Sequence, residues 1–128
     1  LKILLDTSVL LWWLAGSPKL RPAVMAELCR EETIGLFSQV SLLEIQIKAE
    51  IGKLHLDFPV QQIPALAVDS GLTPLALSNA AIYTLPKLPR LHEDPFDRLL
   101  ICEAIQEGAT LATPDRTIQR YPVKILWE

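Results

Sequence analysis

Short apolar runs alternate along this chain with longer stretches framed by helix-starting and helix-stopping residues. Lys2 to Leu5 reads as a strand, followed by a short helix from about Val9. A second helix runs from about Pro22 to Arg30, with the proline early, where it is tolerated. Ile34 to Ser38 reads as a strand, and Ser41 caps a helix that reaches about Ile51 and stops at Gly52. A further helix starts near Pro64 and ends before Gly71. Thr73 to Leu77 is a short strand, and Ser78 caps another short helix. Leu85 to Glu93 is rich in Pro, Lys and Arg and reads as a surface loop. Pro95 to Glu107 is the clearest helix, ended by Gly108. Thr110 to Thr113 and Val123 to Leu126 complete the set as strands. Alternation of this kind predicts an α/β fold with a central parallel sheet covered on both faces.

The 128 residues fit a single domain spanning 1–128, with enough length for a real core. Half the chain is hydrophobic (50%) and 21% is charged, which makes it globular rather than disordered. The net charge of -3 argues against a general nucleic-acid coat protein, but not against a nuclease whose acids are concentrated in one cleft. Cys29 and Cys102 fall in predicted helices without a Cys-x-x-Cys pair and read as reduced core residues. The apolar run Val9 to Ala15 is too short for a membrane span and reads as a buried or interface helix. No secretory signal is visible, so the expectation is a cytoplasmic chain without a membrane partner.

Four acids fall where strands hand over to helices or where helices begin. Asp6 follows the first strand, and Asp115 follows the strand ending at Thr113. Glu44 and Asp97 lie near helix starts. Carboxylates that converge at the carboxyl ends of parallel strands commonly hold a hard divalent cation through oxygen. Each acid also has a plainer use. Asp6 could cap the helix after it, and Ser41-x-x-Glu44 has the spacing of a capping box. Asp94 before Pro95 is a good cap, Asp97 would favour the positive end of the same helix, and Asp115 could cap a turn before Tyr121. Asp97 fits the plain use least. The residues three, four, seven and eight positions on are Leu100, Ile101, Ala104 and Ile105, so the acid opens the core-facing stripe. A carboxylate there needs compensation.

Other chemistries fit less well. His55 and His92 have no zinc-ligand spacing to each other or to cysteine, and His92 reads as a solvated residue of the basic loop. There is no Gly-rich nucleotide cradle and no Gly-x-Ser-x-Gly elbow.

Taken in order, the motifs resemble those of the PIN-domain family, and within it the VapC-type toxins of bacterial toxin–antitoxin pairs. Leu4-Leu5-Asp6-Thr7-Ser8 is similar to the opening motif and Ser41-Leu42-Leu43-Glu44-Ile45 to the second. His92-Glu93-Asp94-Pro95-Phe96-Asp97-Arg98-Leu99-Leu100-Ile101 is the most specific piece. Leu111-Ala112-Thr113-Pro114-Asp115 resembles the closing motif, and Tyr121 to Trp127 resembles the ending of one subgroup. The resemblance covers nearly the whole chain. It implies a three-layer α/β/α PIN-like fold and a Mg²⁺- or Mn²⁺-dependent endoribonuclease. Asp6, Glu44, Asp97 and Asp115 would be the acidic, metal-holding and catalytic quartet, with Asp6 and Asp97 the inner ligands. Asp94 would be accessory, and Thr7 and Thr113 would orient carboxylates or water. Arg90, Lys87, Arg98, Arg116 and Arg120 could meet RNA phosphates, though Arg98 could instead pair with Asp94 four residues before it. A cognate antitoxin and a homodimer or toxin–antitoxin hetero-oligomer are the implied protein partners, with Trp12 and Trp13 available for such a contact while one of them fills the core. Two alternatives remain: an inert PIN-fold binding module, and a structure-selective DNA nuclease.

Overall fold

The computed structural model describes residues 1–128. Five strands form one sheet: β1 (Lys2–Leu5), β2 (Ile34–Ser38), β3 (Thr73–Leu75), β4 (Thr110–Ala112) and β5 (Ile125–Leu126). All four pairings are parallel, and the spatial order is β3-β2-β1-β4-β5. Six helices connect and cover it: α1 (Thr7–Ala15), α2 (Pro22–Leu28), α3 (Gln39–Glu50), α4 (Ile63–Asp69), α5 (Asn79–Thr84) and α6 (Pro95–Glu107).

The two-residue period of β1 sorts the core into layers. Leu4 faces one side of the sheet with Leu100, Ile101 and Ala104 of α6 and Ala81 of α5. Ile3 and Leu5 face the other side with Val9 and Leu10 of α1, Ile45 of α3, and Ile63 and Ala67 of α4. β1 is therefore hydrophobic at consecutive positions because both of its faces are covered. Each of these fully buried Leu and Ile side chains contributes on the order of 2 kcal/mol by leaving water. The α/β/α reading is correct. Gly35 lies where β2 meets α2 and the turn after α4; a Cβ there would come within 2.7 Å of Leu72 Cδ2 and 3.0 Å of Leu28 Cδ2.

Several boundaries differ from the sequence reading, each for a local reason. α1 starts at Thr7 rather than Val9, because Asp6 caps it. α3 starts at Gln39, not after Ser41, because Ser38 Oγ accepts the Val40 N–H at 2.9 Å. The Ser41–Glu44 capping box therefore does not form, and both side chains are buried inside the helix. β3 stops at Leu75, and Val123 lies outside the two-residue β5. The basic loop contains a 3₁₀ turn at Leu85–Lys87. Cys29 is exposed at the end of α2, whereas Cys102 is buried as expected. Neither tryptophan of α1 is fully buried: Trp12 packs on Trp127, with ring centroids 5.8 Å apart, and Trp13 Nε1 donates to Ser70 Oγ at 2.8 Å.

Strand order sets where a ligand can enter. From β1 the chain moves to β2 and β3 on one side, then returns to β4 and β5 on the other. The connections after β1 and β4 therefore diverge, leaving a crevice beyond their carboxyl ends. Asp6 and Asp115 sit on those two connections. The Asp6 N–H donates to Ala112 O at 3.0 Å, which ties the two strand ends together.

Candidate active site

Four chain segments deliver acids to one open cleft of about 260 Å³. Asp6, Glu44, Asp94, Asp97 and Asp115 all line it, with Thr7, Ser8 and Lys48 among them. The acids singled out from the sequence are thus brought together.

Asp6 is 5% exposed and held at both oxygens. Oδ1 accepts the Val9 N–H at 2.8 Å, the capping bond of α1, and Oδ2 accepts the Thr113 hydroxyl. Burial pushes its proton affinity up, and the charges of Glu44 and Asp115 add to that. The Thr113 and Val9 bonds pull the other way, and the balance is a pKa of about 6.

Glu44 is buried on α3. Its Oε1 lies 2.6 Å from Thr7 Oγ1, which is in turn 2.9 Å from Ser41 Oγ. Thr7 has one proton to give. It goes to the carboxylate, and Ser41 supplies the second bond. Oε2 pairs with Lys48 Nζ, four residues on, which raises the lysine pKa.

Asp97 stands in the first turn of α6, below the cap made by Asp94, whose Oδ1 accepts Phe96 N–H at 2.8 Å and Asp97 N–H at 3.4 Å. Burial raises the Asp97 pKa to about 7, and the neighbouring charges of Asp94 and Glu44 add to the shift. Asp115 behaves oppositely. Burial works against its charge, but the Ile118 N–H, His92 and the Thr117 N–H outweigh that and lower its pKa. Its Oδ1 caps the following turn at 3.0 Å from Ile118 N and 2.8 Å from Thr117 N. Capping and clustering therefore coexist in the same side chains.

His92 is not a solvated loop residue. Its Nε2 lies 3.1 Å from Asp97 Oδ2 and 3.1 Å from Asp115 Oδ2. One ligand atom from each of these three residues falls within 4.8 Å of the others, so they could be taken for a metal cluster. The far nitrogen is also engaged: Nδ1 accepts the Asp94 N–H at 3.1 Å and needs a free lone pair. With Nδ1 accepting there, the proton sits on Nε2, which makes that nitrogen a donor to the two carboxylates in this arrangement. The loop is fixed by Tyr121, whose hydroxyl accepts Leu91 N–H at 3.0 Å and His92 N–H at 2.8 Å.

Arg98 neither pairs with Asp94 nor is free for RNA. It is buried, donating to Leu85 O at 3.0 Å, Pro89 O at 3.2 Å and Tyr121 Oη at 3.4 Å, so it staples the basic loop to α6. Arg90 and Lys87 are exposed, and Arg90 lines a separate cleft that reaches the site at His92. Arg116 and Arg120 are exposed on the opposite side, past Pro114. Lys48 lines the acidic cleft and His92 bridges two of its acids, placements that the sequence reading did not give them. Their signals were the Glu44–Lys48 spacing and the His92 position within the Asp94–Asp97 motif.

A parallel five-stranded sheet that gathers acids from four segments at its switch point defines a class, and the comparisons give the same one. A profile of the PIN domain matches residues 3–124. The chain belongs to the PIN domain family, as its motifs suggested. It is 29% identical over 123 residues to ribonuclease VapC22 of Mycobacterium tuberculosis, covering 93% of this chain and 91% of that protein. Its fold is similar to that in VapBC2 from Rickettsia felis bound to a promoter DNA fragment, with a TM-score of 0.72, 19% identity and full coverage of both chains. DNA-bound VapBC from Salmonella typhimurium is also similar, with a TM-score of 0.65 and 18% identity over 98% of this chain and 97% of that one.

Proposed function

We propose that this chain is a Mg²⁺- or Mn²⁺-dependent endoribonuclease, the toxin of a toxin–antitoxin pair acting in the cytoplasm. The observation that carries the reading is the convergence of Asp6, Glu44, Asp94, Asp97 and Asp115 from four separate segments in one cleft, where burial and mutual repulsion raise the proton affinity of Asp6 and Asp97. The donor set is all carboxylate oxygen, which suits a hard divalent cation. Neighbouring carboxylates add to both shifts, and Lys48 is the single cationic side chain lining the cleft. Asp6 and Asp97 would hold the cation most directly, with Glu44 and Asp115 completing the set and Asp94 beside them. When bound, the cation would lower the pKa of water and offset charge developing on the scissile phosphate.

The chain's own residues do the positioning. Thr113 and the Val9 N–H lock both oxygens of Asp6. Thr7 and Lys48 aim Glu44, and His92 holds Asp97 and Asp115 towards each other. Arrangement before the reaction is what makes such groups effective. Lys48 is placed to meet the phosphate once the acids are neutralised.

The 29% likeness to a named ribonuclease supports RNA as the substrate. The VapBC neighbours support an antitoxin partner and a hetero-oligomer or homodimer. An exposed apolar row, Leu43 and Ile47 on α3 and Ile51 just past its end, suits a protein contact. No helix is long and apolar enough to cross a membrane.

The test is a calorimetric Mn²⁺ titration of antitoxin-free protein beside Asp6→Asn and Asp97→Asn, followed by RNA cleavage with and without chelator. Expected is binding and cleavage in the parent and neither in the variants. A folded parent that takes up no metal and cleaves no RNA would return the chain to the inert binding module.

A further inference from the structure

We propose that the cleft on the far side of Pro114 is a subsite for single-stranded RNA flanking the cleaved bond. Arg21, Arg116 and Arg120 would meet phosphates there, and Trp127 would stack an unpaired base. This deepens the ribonuclease reading above and rests on it.

Position comes first. The cleft measures about 700 Å³ and adjoins the acidic cleft across Pro114, the residue that lines both. Asp115 lines the acidic side and Arg116, next in the chain, lines the other. A strand whose phosphate reached the acids would run directly into the arginines.

Charge comes second. Three of the chain's arginines line this one cleft, in a protein of net charge -3. Arg116 and Arg120 are exposed and make no ion pair within the chain. Arg21 reaches only Glu128, at 3.5 Å, with both side chains more than half exposed; such a pair contributes little and is readily exchanged. Glu128 is the one acid lining the cleft, so Arg116 and Arg120 are left without a partner beside Arg21, and their planar donor forks suit phosphate.

Rigidity comes third. Arg116 and Arg120 are displayed by a short segment that is tightly built. Asp115 Oδ1 caps it, Gln119 N donates to Asp115 O at 3.1 Å, and Gln119 Nε2 donates to Thr113 O at 3.2 Å. Ile118 and Tyr121 anchor it in the core. The side chain that faces the acids thus also sets the segment that presents the arginines.

Trp127 settles the class of ligand. It is half-buried, backed by Trp12 at 5.8 Å and 44°, and lines the same cleft. An aromatic platform amid arginines is the grammar of single-strand binding, because every base has a face to stack. A paired base keeps its faces inside the helix and cannot use it. An acidic protein segment would satisfy the arginines but leave the tryptophan and the shared wall with the acids unexplained.

The test uses fluorescence anisotropy in chelator, with a labelled mixed-sequence RNA of about twelve nucleotides, its blunt duplex, and an unlabelled glutamate-rich peptide of similar length as competitor. The parent should favour the single strand. Arg116→Ala/Arg120→Ala should weaken binding at least about tenfold and flatten the salt dependence by roughly 1.4 log units per log unit, the release expected for two phosphate contacts on a single strand. Trp127→Leu should lose about tenfold, and Trp127→Phe should recover most of it. Mn²⁺ affinity should stay within about threefold of the parent in every variant, since none of these residues holds the cation. Unchanged RNA affinity and cleavage in the variants would overturn the subsite. So would duplex bound as well as single strand, or a peptide that displaces RNA more strongly than RNA displaces itself, which would make the cleft a protein dock. A parent that neither binds nor cleaves RNA overturns the ribonuclease reading itself, and the subsite with it.

Discussion

Asp97→Asn should make the metal-free protein more stable while removing its metal affinity. Folding raises the Asp97 pKa from 3.8 to about 7, through burial first and then through the charges of Asp94 and Glu44. Roughly three units correspond to about 4 kcal/mol held against the fold once the group is ionised. The asparagine must still lose some hydration, and the titration is shared with Asp6, Asp94 and Glu44, so about half should be recovered, roughly 2 kcal/mol. The asparagine Oδ1 can keep accepting from His92 Nε2, which spares the 3.1 Å bond. In a chain of this length about 2 kcal/mol moves Tm by roughly 6–10 °C.

The pH dependence carries the discrimination. An acid whose folded pKa is raised burdens the folded state only where it is ionised. Below its unfolded value both states hold the proton, and the substitution should be neutral. The gain should build between pH 3.8 and about 7 and stay level above that. Differential scanning calorimetry of both proteins in chelator, from acid to pH 8, reads this directly. Added Mn²⁺ should then lift Tm of the parent and not of the variant. A variant no more stable at pH 8, or one stabilised equally at pH 4, would refute the reasoning.

Three further outcomes follow from the hydrogen bonds. Thr113→Val removes the hydroxyl on Asp6 Oδ2, so the Asp6 pKa should climb further and Mn²⁺ affinity fall about tenfold by calorimetry. Tyr121→Phe strips the acceptor from the Leu91 and His92 N–H groups and should cost about 1–3 kcal/mol in urea unfolding, with cleavage impaired as His92 loosens. Glu103 is 2% exposed, takes the Ser38 hydroxyl on Oε1, has no partner on Oε2, and has its pKa raised by burial to about 7. Glu103→Gln should therefore stabilise the protein by about 1–2 kcal/mol at pH 8, with the gain fading as pH falls towards 4.5; a pH-independent change would count against the buried charge.

Local chemistry made much of this readable in advance. Lys2–Leu5 reads as a strand because a central parallel strand is apolar on both faces, and α6 reads cleanly because Asp94, Pro95 and Gly108 mark its ends. Asp97 betrayed itself by opening an apolar stripe. What was lost depended on partners distant in sequence. Arg98 looked like a surface cation, but its acceptors are carbonyls at Leu85 and Pro89. His92 lay in a basic, proline-rich loop, and only folding places it between Asp97 and Asp115. Glu103 lies three positions after Leu100 on the buried face, a spacing that would have exposed it had the helix been read for misplaced charge as well as for apolar residues. Ser38 rather than Ser41 caps α3 because the helix follows β2 directly, with no connecting residues between them.

Asp6, Asp94 and Asp115 each hold an end of a helix or turn as well as facing the cleft. Asparagine caps such ends about as well as aspartate does but brings no charge to a cation. The chemistry of this cleft can therefore be retired one amide at a time while the architecture stays intact. A copy that changed this way would remain folded and keep its outer surface, so its shape alone would not reveal whether the cleft still holds a charge for a cation.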